Sequence, residues 1–309
     1  MKLALATAIA AFALDDDLVP LRQACKAAGI DAQVVAWDDP TVSWARFDAV
    51  LLRSPWDYVD RLPEFLAWCE RVARLTRLWN PPEVVRWNTD KRYLGGLAKA
   101  GVPVIESHFL APGDDPATLP DLEEFVVKPT VGAGSRDAKR YLRADRAQAI
   151  AHAARLLGEG RHVLVQPYLR AVDEQGETAL LFFGGQFSHA IRKAPLLRRG
   201  EEPTRALFKD EHIQPREPSA KEREVAANVL AALPFGPLVY ARVDLLPSPT
   251  GPQLLELELT EPSVFLPYGE GAAARFAAVL AEALATPLFG GGGGGGGGLW
   301  GAHGAKHTD

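Results

Sequence analysis

Apolar and polar residues alternate strictly in two neighbouring segments near the end of the chain. Tyr240–Leu246 and Leu254–Leu259 both show this period of two, and the link between them is rich in proline and serine. Alternation on both sides of a turn-forming link predicts a β-hairpin. Side chains two apart in a strand share a face. The predicted polar face carries Arg242, Asp244, Glu256 and Glu258. The predicted core face carries Val243, Leu245, Leu255, Leu257 and Leu259.

The first 87 residues show a different pattern, in which short apolar runs alternate with amphipathic segments. The predicted strands are Leu3–Ala8, Ala32–Trp37 and Phe47–Arg53. The predicted helices are Leu18–Ala28 and Pro63–Leu75. This alternation predicts a parallel sheet covered by helices, and ligands bind at the carboxyl ends of such strands. Residues 54–58, which follow the third strand, occupy that position.

The remaining pattern mixes helices with strands and hairpins. The predicted helices are Trp87–Gly101 (capped by Asn88 or Thr89), Ala147–Leu157, Ala220–Leu233 and Gly271–Leu284. The predicted strands are Phe125–Lys128, Val163–Val165, and the hairpin Thr178–Phe183 with Gln186–Arg192. The aperiodic Arg198–Pro218 indicates a lid or disorder. Nine consecutive glycines, Gly290–Gly298, predict a flexible tail, in which His303 and His307 have no assigned role. The fold class is α/β (α+β).

Composition excludes several classes of function. The 309-residue chain has a net charge of −5 and a pI near 5.9, which gives no electrostatic case for nucleic acid or an anionic membrane. Cys25 and Cys69 are too few for a disulfide framework or a thiolate zinc site. No apolar run reaches the roughly 18 residues that a membrane span needs.

The N-terminus has some features of a signal peptide. Lys2 precedes an apolar run, and residues 11–13 fit a small-x-small cleavage pattern. However, the run has a single preceding charge, and its removal would leave the first helix without its strand. We therefore interpret Leu3–Ala8 as a buried strand and expect a cytoplasmic protein.

Two lysines and a glycine-rich loop are candidate phosphate ligands. Lys91 falls in the first turn of a predicted helix, where a positive charge is unfavourable because of the helix dipole. A bound anion would offset this cost. Lys128 ends a predicted strand and precedes a loop that contains Gly132, Gly134 and Ser135. Small residues allow backbone N–H groups to approach phosphate oxygens. A surface lysine and an ordinary hairpin turn are the alternatives, and the order of residues is not that of a P-loop.

The segment after Val163–Val165 offers groups for a nucleoside. Pro167 predicts that this strand is not central in its sheet, which frees backbone groups for an adenine edge. Residues 173–177 offer acids for ribose hydroxyls. Arg192 and Lys193 end a hairpin strand and suit a phosphate or carboxylate; a solvated strand end is the alternative.

The polar face of the 240–259 hairpin is the strongest chemical signal. Three carboxylates on one sheet face form an oxygen-ligand set for a hard cation, since Mg²⁺ is held by one or two carboxylates together with substrate phosphates. The alternative is a solvated face of an antiparallel sheet, where alternating charges are common.

In this order, the elements resemble the ATP-grasp superfamily: an α/β pre-domain, two lysines, a glycine-rich loop, a Gln-Pro-Tyr-Leu hinge, and the hairpin with Arg-x-Asp and Glu-x-Glu. The resemblance covers about residues 1–288. The Glu-x-Glu replaces the more usual Glu-x-Asn. The resemblance implies a pre-domain (1–87), a small ATP-grasp subdomain (88–165), a catalytic subdomain (166–289) and the tail (290–309). Several motifs resemble the cycloserine-biosynthesis group, which closes O-ureido-D-serine with ATP; they are LRSPWDY (52–58), WNTDKRYL (87–94), VQPYL (165–169), GET (176–178), FFGGQFSHAIRK (182–193), YARVDLL (240–246) and LELELTEPSVFL (255–266).

The resemblance implies a role for each candidate. For ATP, the implied ligands are Lys91, Lys128, Gly132, Gly134, Ser135, Gln166, Tyr168 and Leu169, with Asp173 or Glu177 on the ribose. For one or two Mg²⁺ (or Mn²⁺), they are Asp244, Glu256 and Glu258. Arg242 would steady an acyl phosphate. Substrate contacts are implied for Arg192, Lys193 and Glu261, with Ser54, Trp56 and Asp57 as a far wall.

The expected function is therefore an ATP- and Mg-dependent ligase that activates a small-molecule carboxylate as an acyl phosphate for attack by an amine or an internal nucleophile. Related ligases often form homo-oligomers, and a homo-oligomer is also expected here. A small-molecule kinase and a non-catalytic ATP-binding protein on the same fold are the alternatives. A nicotinamide oxidoreductase is disfavoured because no Gly-x-Gly-x-x-Gly follows the first strand.

Overall fold

The computed structural model describes residues 1–203, 212–236 and 238–286. The predicted glycine tail and the two histidines after it lie outside the described residues, as does the middle of the predicted lid. No helix in the described ranges is long and apolar enough to cross a membrane.

The N-terminal sheet is parallel, as its pattern predicts. Its strands have the order β2-β1-β3-β4. The strands are β1 (Lys2–Thr7), β2 (Asp31–Ala36), β3 (Ala49–Ser54) and β4 (Arg77–Trp79), and the helices between them are α1 (Leu18–Ala27) and α2 (Leu62–Ala73). Strand β3 is buried along its whole length, which explains its continuous apolar run. Helix α1 ends at Gly29, whose φ of +75° suits glycine.

A second, antiparallel sheet follows, with the order β5-β8-β6-β7. Its strands are β5 (His108–Leu110), β6 (Glu124–Pro129), β7 (Lys139–Leu142) and β8 (Val163–Pro167), and helix α5 (Arg146–Gly158) packs against it. The prediction that Pro167 keeps β8 out of the sheet centre is wrong. Strand β5 pairs only with residues 163–165, so Pro167 lies beyond the end of β5, where its missing N–H is tolerated.

The predicted helix Trp87–Gly101 is in fact two helices. Helix α3 (Pro82–Asn88) ends where the predicted helix begins, and α4 (Tyr93–Lys99) starts five residues later. Asn88 is therefore not an N-cap. Its side chain instead bonds to the backbone of Leu257 and Leu259 on the hairpin. Lys91 lies in the break, two residues before α4, and its backbone N–H donates to Thr130.

The third sheet is antiparallel, with the order β11-β10-β9-β12-β13. Its strands are β9 (Glu177–Phe183), β10 (Gln186–Lys193), β11 (Ile213–Pro215), β12 (Tyr240–Leu246) and β13 (Gln253–Glu258), accompanied by α6 (Val172–Gln175), α7 (Ala220–Ala231) and α8 (Ala272–Ala285). Both predicted hairpins are confirmed. Helix α7 begins with a reciprocal cap between Ser219 and Glu222.

One residue of the final hairpin departs from the predicted alternation. The pairing shifts between Asp244 and Leu245, so that Leu245 lies opposite Leu254 and Leu255 is left in a bulge. Leu254 takes the core position, whereas Leu255 lines the central cavity. The first and third sheets share a core in which α1 packs on α8. The predicted domain boundaries remain predictions.

Candidate active site

A large cavity lies between the sheets and is lined by residues from all three or from the segments beside them. The predicted site residues that line it are Lys91, Lys128, Gly132, Gly134, Ser135, Gln166, Tyr168, Leu169, Glu177, Lys193, Arg242, Asp244, Glu256 and Glu258. Residues some 160 positions apart in the sequence are thus gathered around one space.

Two of the predicted ligand and catalytic residues, Arg192 and Asp173, do not line the cavity. Strand alternation turns Lys193 inward and its neighbour Arg192 outward, where Arg192 donates to the carbonyls of Gln175 and Glu174. Asp173 accepts hydrogen bonds from Arg140 at 3.1 Å and from the Tyr168 hydroxyl at 2.5 Å. Arg192 therefore fixes the turn before β9, and Asp173 fixes Tyr168.

The polar face of the hairpin forms an ion-pair network. Because Arg242 lies opposite Glu258 and Asp244 opposite Glu256, all four side chains meet on one face. Arg242 donates through Nε and Nη2 to the two oxygens of Asp244, both at 2.8 Å, and it also bonds to Glu258. Lys193 lies 3.0 Å from Asp244 and pairs with Glu177. Arg242 and Lys193 thus share Asp244 and each binds a second carboxylate.

Lys91 joins the hairpin to the glycine loop. Its Nζ lies 2.9 Å from Glu256 Oε1 and donates to the Gly132 carbonyl at 2.7 Å. Burial alone would raise the pKa of Glu256, but the charges of Lys91 and Lys128 outweigh burial and lower it. Glu256 is therefore a buried anion with cations on one side and the cavity on the other.

Lys128 differs from the other cavity lysine residues. In the described ranges it makes no side-chain hydrogen bond and lies in no ion pair. Burial is the main reason why the pKa of Lys128 is lowered to about 8; the nearby charges of Lys91 and Lys193 contribute to this shift, and the attraction of Glu256 opposes it. A desolvated cation without a partner, at the base of a glycine loop, is suited to an anionic ligand.

Several carboxylates of the cavity are crowded. Burial raises the pKa of Glu258 to about 8 although Arg242 opposes this, and the charges of Glu256 and Asp244 add to the rise. Burial likewise raises the pKa of Glu177 to about 8. Asp244, like Glu256, differs from them, since its two cations outweigh burial and hold its pKa well below the usual range. Ionisation of Glu258 and Glu177 is therefore opposed by the neighbouring carboxylates.

The carboxylates do not form a ready-made metal cage. In the ranges that the structure describes, no three His, Cys, Asp or Glu side chains are arranged as a metal cluster. Lys91 forms an ion pair with Glu256, and Arg242 forms ion pairs with both Asp244 and Glu258. The donor set nevertheless fits Mg²⁺, because it is all carboxylate and its crowding is relieved by added positive charge.

The opposite end of the cavity is more apolar. Gln166 donates to Ser107 at 3.0 Å, and Arg140 stacks 3.4 Å above the Tyr168 ring. Leu169 and the bulged Leu255 complete an aliphatic wall. The apolar residues of this end would suit a nucleotide base.

The sequence interpretation missed the rigidity of residues 259–266, here called the clamped segment. Each of its backbone carbonyls from Leu259 to Val264 contacts one side chain from another element: Asn80, Tyr240, Trp56, Arg53, Arg242 and His189 in turn. Asp17 accepts the N–H groups of Val264, Phe265 and Leu266. No local pattern signals these long-range contacts.

The clamped segment brings Glu261 and Ser263 to the cavity wall. The Tyr58 hydroxyl bonds to the Glu261 side chain, and burial raises the pKa of Glu261 to about 7. Of the predicted far wall, Trp56 lines the cavity; Ser54 bonds to Thr7, and Asp57 to Trp37 and Arg61, outside it.

Comparison with known proteins places this geometry in a family. Residues 3–80 match the model of the N-terminal domain of D-cycloserine synthetase DcsG. The cycloserine biosynthesis protein DcsG of Streptomyces lavendulae is 47% identical over 296 residues, which cover 91% of this chain and 98% of that protein. The chain belongs to the DcsG family of ATP-grasp ligases.

Solved structures agree with this membership. The crystal structure of D-cycloserine synthetase DcsG superposes with a TM-score of 0.84 at 46% identity, covering 92% of this chain and all of that one. The ATP-grasp ligase PsnB, solved with a precursor variant, Mg and ADP, shares the fold at 17% identity with a TM-score of 0.59, over 92% of this chain and 98% of that one. The DcsG-family chain is an enzyme, an ATP-dependent carbon–nitrogen ligase with the ATP-grasp fold.

Proposed function

We propose that this ligase converts the carboxylate of an amino-acid-derived substrate into an acyl phosphate and closes it onto an internal nitrogen, with O-ureido-D-serine as substrate and a cycloserine-type ring as product. The main observation in support is that one cavity is lined by Lys128, the glycine loop and the carboxylates of the hairpin. The identity over nearly the whole length of a cycloserine-biosynthesis protein supports the choice of substrate.

In this proposal, ATP spans the cavity. Its base occupies the pocket of Gln166, Tyr168 and Leu169, and its phosphates meet Lys91 and Lys128 beneath the 132–135 loop. Glu177, which pairs with Lys193 beside Asp244, belongs to the phosphate end. In this proposal neither Glu177 nor Asp173 binds the ribose, because Glu177 pairs with Lys193 and Asp173 is bonded to Arg140 and Tyr168.

Asp244, Glu256 and Glu258 are the residues that would hold Mg²⁺, one ion or two, with Mn²⁺ as a substitute. When bound, the metal neutralises charge on the transferring phosphoryl group. The chain's own cations act beside it. Arg242 orients the substrate carboxylate whose oxygen attacks the γ-phosphorus as ADP leaves. Lys193 stabilises the acyl phosphate until the oxygen-bound nitrogen attacks its carbonyl carbon and phosphate departs. The carbamoyl group that remains on this nitrogen is then released by hydrolysis as carbon dioxide and ammonia, which leaves the cycloserine-type ring.

The decisive experiment measures Mg-dependent ADP release with O-ureido-D-serine and a panel of amino acids, with mass analysis of the products. A ring-closed product and free phosphate in equal amounts support the proposal. A stable phosphoester would instead identify a small-molecule kinase, and nucleotide binding without turnover on the panel would identify a binding protein. A cytoplasmic location and a homo-oligomeric state complete the proposal; fractionation and light scattering test them.

A further inference from the structure

One carboxylate of the cavity lacks the cation that the others have. Glu177, Asp244, Glu256 and Glu258 each form an ion pair with a lysine or arginine. Within the described residues, Glu261 forms none, although only 9% of its surface is exposed. Its side chain receives a hydrogen bond from a neutral group, the Tyr58 hydroxyl. Burial of a carboxylate without a cation is costly unless a ligand supplies the missing charge.

The position of Glu261 is fixed by its surroundings. Its carbonyl accepts the Trp56 indole N–H at 3.1 Å, and the next carbonyl accepts Arg53 at 2.8 Å. Pro262 restricts the Glu261 backbone to extended conformations. Because both its main chain and its side chain are held, the carboxylate is pre-organised toward the cavity and does not swing to one of the neighbouring cations.

Glu261 also lies beside the group that would bind the reacting carboxylate. Arg242 Nη1 donates to the carbonyl of Ser263, two residues from Glu261, and both side chains line the same cavity. The nitrogen of an α-amino acid lies only about 2.5 Å from its carboxyl carbon, given the standard bond lengths and angle. A substrate that places its carboxylate at Arg242 therefore brings its ammonium group to the part of the cavity that Glu261 lines.

We propose that Glu261, held by Tyr58 and Trp56, is the binding site for the α-ammonium group of the substrate and selects amino acids over simple carboxylic acids. This inference rests on the proposed function, which requires a carboxylate at Arg242. It assigns the specificity of the ligase to one ion pair between the enzyme and its substrate.

The test compares O-ureido-D-serine with its des-amino analogue, 3-(ureidooxy)propanoate, in steady-state ADP release at saturating ATP. The wild-type enzyme should prefer the amino compound by about 10- to 100-fold in kcat/KM, the usual range for a charged hydrogen bond. Glu261→Gln should lose that preference by weakening only the amino substrate. Its KM for ATP should stay unchanged. Tyr58→Phe should reduce the preference less, and the exposed Glu270→Gln should not change it.

The outcomes separate this inference from the proposed function. An equal loss on both compounds in Glu261→Gln overturns the inference and leaves the ligase assignment standing. If the wild type acts on other α-amino acids but not on O-ureido-D-serine, the substrate assignment fails and the same comparison is made with those acids and their des-amino forms. If the wild type releases ADP only with acids that lack an amino group, or with no acid, the inference is overturned. Thermal unfolding of each variant establishes that it is folded.

Discussion

Arg242 and Asp244, two residues apart on β12, form a two-pronged ion pair, with guanidinium nitrogens 2.8 Å from each carboxylate oxygen. Asp244 also receives Lys193 at 3.0 Å. Asp244 is a proposed metal ligand. It also holds Arg242 and Lys193, the two cations proposed to bind the substrate carboxylate and the acyl phosphate. A change at this position acts on metal and substrate together.

Asp244→Asn is expected to lower Mg-dependent ADP release by about 100-fold or more, because a metal contributes several kcal/mol of charge stabilisation in such reactions. The fold should persist, because Arg242 retains its ion pair with Glu258 and Lys193 retains its ion pair with Glu177. ADP release measured as a function of Mg²⁺ concentration checks this, with the exposed Asp121→Asn as the matched control. Full activity at ordinary Mg²⁺ would contradict the assignment of Asp244.

Gly176 and Gly185 form a matched pair for testing the turn before β9. Both have positive φ, at +72° and +77°. A Cβ on Gly176 would lie 2.6 Å from the Lys193 carbonyl, whereas one on Gly185 would meet nothing within 4 Å. Gly185→Ala should therefore cost about 1–2 kcal/mol of stability from backbone strain alone. Gly176→Ala should cost more and also displace Lys193, lowering activity. Denaturant unfolding and ADP release distinguish the two; equal effects would contradict the steric argument.

Asp17 is the residue outside the cavity on which the clamped segment depends most. It accepts three consecutive backbone N–H groups and lies 3.6 Å from the buried Arg53. Asp17→Ala should lower the free energy of unfolding by about 3–5 kcal/mol, because it leaves Arg53 buried without its partner. Asp17→Asn retains an oxygen acceptor and should cost less. Urea unfolding measures both, and an Asp17→Ala variant as stable as the wild type would contradict this role.

The hairpin chemistry was predictable because a period of two fixes which side chains share a face. Arg242, Asp244, Glu256 and Glu258 followed directly from that rule. Arg192 and Lys193 were both candidates, and the structure places only Lys193 at the cavity. The bulge at Leu255 did not, because a register shift depends on how the two strands pair and leaves no mark in either strand alone.

The break at Lys91 was hidden for a different reason. The sequence Asn-Thr-Asp-Lys after Trp87 and the glycine at position 101 are typical of the two ends of a helix, so local pattern predicted one helix. The chain breaks there because the Asn88 side chain bonds to β13 and the Lys91 backbone bonds to Thr130. The clamped segment is an extreme case, since the Asp17–Leu266 contact spans 249 residues. Such contacts are determined by tertiary packing and not by propensity.

Lys128 provides a test that combines charge with pH. In the free enzyme, burial lowers its pKa to about 8, and it forms no ion pair in the described residues. A bound phosphate favours the charged form, so nucleotide binding should raise this pKa. ATP affinity should therefore fall as pH rises through about 8, and one proton should be taken up on binding near and just above that pH.

Titration calorimetry in buffers of different ionisation enthalpy measures that proton directly. Lys128→Met should weaken ATP binding by about 10- to 100-fold, the range for a charge-assisted hydrogen bond, and should abolish the proton uptake. Lys99→Met, at the exposed end of α4, should change neither quantity. If Lys128→Met weakened binding but kept the uptake, the proton would belong to another group, such as Glu258 or Glu177, whose raised pKa values also lie near 8. In metal-free titrations the negative charge of ATP would raise the pKa of those carboxylates as well, so the proton is assigned to the lysine only if Lys128→Met abolishes the uptake.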